Sequence, residues 1–159
     1  MLTLSACGGD DSAGGGSGGA LTLSAANPAT ENTTLDLAKA STVGNMARAS
    51  GTGTSPVPSC EFFAEQLPGA NGRKYALQVS FRQSDKAVFE VILFSSDAPR
   101  YEVFSRNGGN PITDVTVDTA AKTVTFNNKA LAGSAGELGT LSGTASLPAN
   151  STGVAACGA

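Results

Sequence analysis

The ten residues KYALQVSFRQ (74–83) constrain the fold more than any other stretch of this chain. Tyr75, Leu77, Val79 and Phe81 recur every second position, and Lys74, Gln78, Ser80 and Arg82 fill the places between. A period of two puts the first set on one face of a pleated strand and the second on the other, so this is a half-buried strand. The same period continues downstream. QSDK (83–86) supplies a tight turn, and AVFEVILFS (87–95) follows as the most apolar segment of the chain. Phe89, Val91 and Leu93 would share one of its faces and Val88, Ile92 and Phe94 the other, as in a central strand covered on both sides. If the second set is left uncovered, it forms a docking patch.

Further strands are expected at YEVFSR (101–106), ended by the turn signal NGGNP, and in the hairpin TDVTVDTAAKTVTFNN (113–128). In that hairpin Val115 and Val117 would face Val124 and Phe126. GTLSGTASLP (139–148) turns Leu141, Gly143, Ala145 and Leu147 inward, and CEFFAEQLPG (60–69) reads as a strand leading into a GANG turn. Six to seven short strands joined by tight turns make an all-β antiparallel meander. Only a small sandwich or barrel buries its apolar faces and hides its edges. Tyr75, Phe81, Phe89, Phe94, Tyr101, Phe104 and Phe126 are read as core.

The N-terminal third has a different composition. Residues 8–19, GGDDSAGGGSGG, hold seven glycines and cannot bury a core; as a coil they span roughly 20 Å. Residues 20–58 are weakly patterned. TTLDLAKAS (33–41) offers one short helix, with Thr33 and Asp36 at capping-box spacing, and SGTGTSPVPS (50–59) reads as a linker. The expected division is residues 1–6 as the remnant of a leader, 7–58 as a disordered tether and 59–159 as the β-domain.

Three cysteines, Cys7, Cys60 and Cys157, are an odd number. Leu4-Ser5-Ala6-Cys7, followed by the glycine-rich run, resembles the lipobox of bacterial lipoproteins. The resemblance implies cleavage before Cys7 by signal peptidase II, a diacylglyceryl group on its sulfur and acylation of its new amino group. Only Met1–Thr3 precede the box, so the start of the chain is read as lying inside a longer signal peptide. Gly8 at the next position implies the outer membrane, because aspartate there marks inner-membrane retention in the enteric version of this family. Export to an oxidising compartment would then pair Cys60 with Cys157; two buried free thiols are the alternative.

No catalytic constellation is legible. The chain has no histidine and no C-x-x-C, and it lacks G-x-S-x-G and phosphate-loop patterns. A net charge of −3 with scattered basic residues excludes a nucleic-acid footprint. Asp114 and Asp118, with Asn110 nearby, are weak candidates for calcium, and Glu61 and Glu65 also fall on one strand face; a solvated outer face explains both pairs. No cofactor is expected. The reading is a membrane-anchored, non-enzymatic envelope protein with the membrane and an envelope protein as partners. The alternative is a barrel carrying a small hydrophobic ligand.

Overall fold

The computed structural model describes residues 18–48, 57–95, 100–104 and 110–158, the side chains of 102–104 excepted. Ten antiparallel strands run through these residues. They are β1 (Gly19–Asn27), β2 (Thr33–Asp36), β3 (Thr42–Arg48), β4 (Ser59–Pro68), β5 (Lys74–Arg82), β6 (Val88–Ser95), β7 (Arg100–Phe104), β8 (Val115–Asp118), β9 (Thr123–Ala132) and β10 (Leu138–Ser146). Three single turns of 3-10 helix join them: η1 (Ala29–Glu31), η2 (Leu37–Lys39) and η3 (Ala155–Cys157).

The strands form two five-stranded layers packed as a sandwich. One layer runs β8-β9-β10-β1-β2 and the other β7-β6-β5-β4-β3. The layers touch along both seams. At one, β7 meets β9 through the single pair Glu102 and Ala132. At the other, Leu35 of β2 bridges to Gly69 after β4, and the Ala70 N–H donates to the Thr34 carbonyl at 2.9 Å. Closing both seams covers strand edges that would otherwise pair with other chains.

The alternation read from the sequence is what fills the interior. Tyr75, Leu77, Val79 and Phe81 of β5 are all buried, as are Phe62 and Ala64 of β4 and Leu141 and Ala145 of β10. The downstream hairpin has the expected register, with Val115 opposite Phe126 and Val117 opposite Val124. The bulky buried side chains include Tyr75, Tyr101, Phe62 and Phe81, surrounded by leucines from both layers. Side chains therefore occupy the space between the layers, as in a packed core.

Residues 19–48, expected as tether, are instead β1, β2 and β3. Leu21 and Leu23, and likewise Leu35 and Leu37, alternate with small or polar residues and are almost wholly buried. Four leucines among serines, threonines and alanines give weak apolar contrast, but a strand pairing with β10 needs only one apolar residue in two. The folded unit thus begins at Gly19 rather than at residue 59, and the strand count rises to ten. The helix expected at 33–41 is β2 followed by η2, where the Asp36 side chain accepts from the Ala38 N–H at 3.1 Å. The linker at 50–59, the turn after Ser95 and the NGGNP turn fall largely outside the described residues.

The Cys60–Cys157 disulfide is formed, with Cα atoms 5.6 Å apart across a separation of 97 residues. It joins the inner face of β4 to η3, so it pins an interior strand, not the first one, to the C-terminal segment. That segment lies along the free edge of β3. Ser151 N–H donates to the Asn45 carbonyl at 2.9 Å, and the Ala47 N–H donates to the Thr152 hydroxyl at 3.1 Å.

Candidate functional site

A cleft of about 310 Å³ opens on the outer face of β3–β6. Register explains its walls, because cross-strand partners share a face. Three outer rows matter: Thr42–Glu65 continuing to Ala76–Phe94–Arg100; Gly44–Phe63–Gln78–Ile92; and Met46–Glu61–Ser80–Glu90. Phe63 stands opposite Gly44, and a Cβ built on Gly44 would lie only 2.3 Å from the Phe63 ring carbon Cζ. The ring therefore leans across β3 into the room left by the missing side chain, away from β5. Ala76 is small on the other side. Together Gly44 and Ala76 leave an opening between the Phe63 ring and the Phe94 ring, and the β4 bulge between Ala64 and Leu67 widens it.

Polar groups are placed around this apolar centre. At one end the Arg48 guanidinium makes a two-pronged contact with Glu61, with Nε to Oε2 at 3.0 Å and Nη2 on Oε1. The hydrogen bond and charge of Glu61 raise the Arg48 pKa above its ordinary value despite some burial. Gln78, which lines the cleft, donates through Nε2 at 3.1 Å to the Glu90 carboxylate behind it, and that carboxylate also accepts from the Ser80 hydroxyl at 2.8 Å. At the other end stands Glu65, exposed, and among the described residues no hydrogen bond or ion pair engages its carboxylate. Glu61 and Glu65 thus do share a face, but one carboxylate is neutralised and the other is free.

The expected docking patch divides. Phe94 is 43% exposed and Ile92 lies on the same outer face, but Val88 belongs to the core. The cause is a bulge: Ser80 pairs with Glu90 and Phe81 with Val88, so Phe89 is the extra residue and the alternation slips by one. Phe94, outward with Ile92 irrespective of the bulge, leaves the list of core aromatics. Met46, Arg48, Phe63, Ala76 and Gln78 line the cleft without having drawn notice in the sequence. Their only signal was a glycine and an alanine on the outward positions of β3 and β5, the strands on either side of β4.

Asp114 and Asp118 hold separate posts. Asp114 takes a positive φ of 66° ahead of β8 and accepts from the Thr113 hydroxyl at 3.2 Å. Asp118 Oδ1 accepts the N–H groups of Ala120 and Ala121 at 2.9 and 2.8 Å, closing the β8–β9 turn. Asn110 is exposed and engaged elsewhere. Among the described residues no three His, Cys, Asp or Glu side chains gather as a metal site.

A second polar cluster, unforeseen, plugs one end of the sandwich. Glu31 of η1 is 1% exposed; its carboxylate accepts from the Tyr75 hydroxyl at 2.9 Å and pairs with Arg73 Nε at 3.2 Å. Asn71 Nδ2 donates to the same hydroxyl at 2.8 Å. The Glu31 carboxylate is buried, Arg73 and Asn71 are half-buried, and the network ties η1 to the β4–β5 turn.

Cys7 and its lipobox lie outside the described residues, and Cys60 and Cys157 are consumed by their bond. Among the described residues no helix is long and apolar enough to cross a membrane. Comparison with protein-family models, with curated proteins and with solved structures finds no match to this chain.

Proposed function

We propose that this chain is a bacterial lipoprotein: a β-sandwich held at the outer membrane through an acylated Cys7, with a non-enzymatic binding role in the cell envelope. The observation that carries the reading is the pairing of Cys60 with Cys157. It removes both from the list of thiols open to modification and leaves Cys7, the one in a lipobox, as the odd cysteine. A buried disulfide also accords with an oxidising compartment. Beginning the sandwich at Gly19 leaves residues 8–18 between the anchor position and β1, a spacer rich in glycine. The role assigned to the domain is binding at its surface, since side chains fill the interior and the cleft lies outside. The same packing supports this over the carrier reading, which needs an empty apolar lumen.

The test is metabolic labelling. With the gene expressed in a Gram-negative host behind a complete signal peptide, radiolabelled palmitate should enter the protein, and Cys7→Ser should abolish the label. Wild-type protein that takes up no palmitate, or label that persists in Cys7→Ser, would overturn the assignment.

A further inference from the structure

The cleft has a shape and a charge that specify an occupant. Its centre is apolar, bounded by the Phe63 and Phe94 rings over the small Ala76. Strands in a sheet stand about 4.8 Å apart, so Glu65 and Phe94, flanking Ala76 on β4 and β6, are separated by roughly two such spacings. The two carboxylates that line it, Glu61 and Glu65, and the nearby Glu90 are not equivalent. Glu61 is satisfied by Arg48 and Glu90 by Gln78 and Ser80, whereas Glu65 is unpaired among the described residues. Arg100, beyond Phe94 in the same row, is already engaged. The cleft therefore presents one uncommitted negative charge at the end of an aromatic slot. A lysine or arginine complements both parts. Its methylene stem covers apolar surface, its head meets a carboxylate, and a cation beside an aromatic face gains further attraction.

We propose that this cleft captures a basic side chain, arginine or lysine, from an extended segment of a partner polypeptide. This rests on the reading of the β-domain as a surface binding module. Glu61 and Glu65 are four residues apart on β4, about 13 Å, so the cleft accommodates three to four residues of extended chain. The basic side chain lies over Ala76 between the two rings with its head at Glu65. A flat aliphatic partner would leave Glu65 without a counter-charge, and an acidic one would meet repulsion. The opening is also too small for a stable dimer face, which buries about 800 Å² on each partner.

The experiment titrates the full-length, oxidised chain with acetylated, amidated Gly-Ala-Arg-Ala-Gly and follows backbone amide shifts by NMR. Matched peptides carry citrulline or norleucine in place of arginine. Saturable shifts should centre on Phe63, Ala76 and Phe94 with the arginine peptide. Glu65→Gln should weaken binding by about fivefold, the scale expected for one exposed ion pair and its cation–aromatic contact. Ala76→Leu should abolish binding by filling the slot. Because the Glu65 carboxylate is exposed and makes no hydrogen bond among the described residues, Glu65→Gln folds as wild type even if Ala76→Leu does not. Asp118→Asn, in the β8–β9 turn of the other layer, should bind normally. Equal binding of the citrulline or norleucine peptide, an unaltered affinity in Glu65→Gln, or no saturable shift would each overturn the proposal. Cys7→Ser should retain full peptide binding, so failure of the anchor and failure of the cleft are separate results.

Discussion

The side chain of Asn45, wholly buried at the centre of β3, donates to the main-chain carbonyl of Cys157 and, at 3.4 Å, to that of Pro148. The main-chain carbonyl of Asn45 accepts from the N–H and hydroxyl of Ser151. One residue thus holds both ends of the C-terminal strap against the edge of β3, beside the disulfide. Asn45→Ala leaves two carbonyls without a donor and a small cavity. It should cost about 1–3 kcal/mol in chemical denaturation. An unchanged midpoint would mean that the disulfide alone retains the strap.

The disulfide itself should matter more. Closing a loop of 97 residues corresponds to about 4–5 kcal/mol in the chain-entropy model. The Cys60→Ala, Cys157→Ala double variant should lose about 2–5 kcal/mol relative to the oxidised protein. Adding reductant to that variant should change nothing further, which separates the bridge from other redox effects.

Two glycines should respond differently to alanine. At Gly44 the new Cβ meets the tip of the Phe63 ring, a side chain that can swing back over β5. Gly44→Ala should therefore cost about 1 kcal/mol, the low end for overpacking, while narrowing the cleft and weakening peptide binding. At Gly143, φ is 121° and the new Cβ would lie 2.4 Å from the Ala20 carbonyl oxygen, which is backbone in the paired strand β1. Gly143→Ala should be the more destabilising by thermal melting, because β1 and β10 must separate to admit it.

The two tyrosines, which are the only ones in the chain, should set an alkaline limit to stability. Burial, with the charges of Glu31 and other neighbours, pushes the Tyr101 hydroxyl up to about 12. Burial also raises Tyr75, against an opposing hydrogen bond from Asn71. Both are raised relative to the unfolded chain, so folding retains their protons. That contribution is complete below about pH 10 and is lost as pH rises toward 12. Denaturation midpoints should fall across this window, and the tyrosinate absorbance band should grow only above the ordinary tyrosine range. A single step at the ordinary tyrosine value would contradict the burial of both.

Removing each hydroxyl distinguishes a used group from an idle one. Tyr75→Phe takes a donor from the buried Glu31 carboxylate and should cost about 1–3 kcal/mol. The Tyr101 hydroxyl has no hydrogen-bond partner among the described residues. Tyr101→Phe should leave the midpoint unchanged or raise it, because no bond is lost and a buried polar group is removed.

The sequence by itself determined the strands from Cys60 onward, the faces of β5 and the register of the β8–β9 hairpin. These follow from local alternation and turn chemistry, which act between near neighbours. Tertiary structure decided the rest. Leu21, Leu23, Leu35 and Leu37 become core only when β1, carrying β2 on its other edge, finds β10 more than a hundred residues away, a contact no local pattern announces. The bulge at Phe89 reverses Val88, because one extra residue in a strand turns every side chain before it to the other face. The cleft exists because Gly44 and Ala76, far apart in the chain, arrive on the same surface with a ring between them. A missing side chain is silent in a sequence; it becomes a site only when its neighbours are placed around the space it leaves.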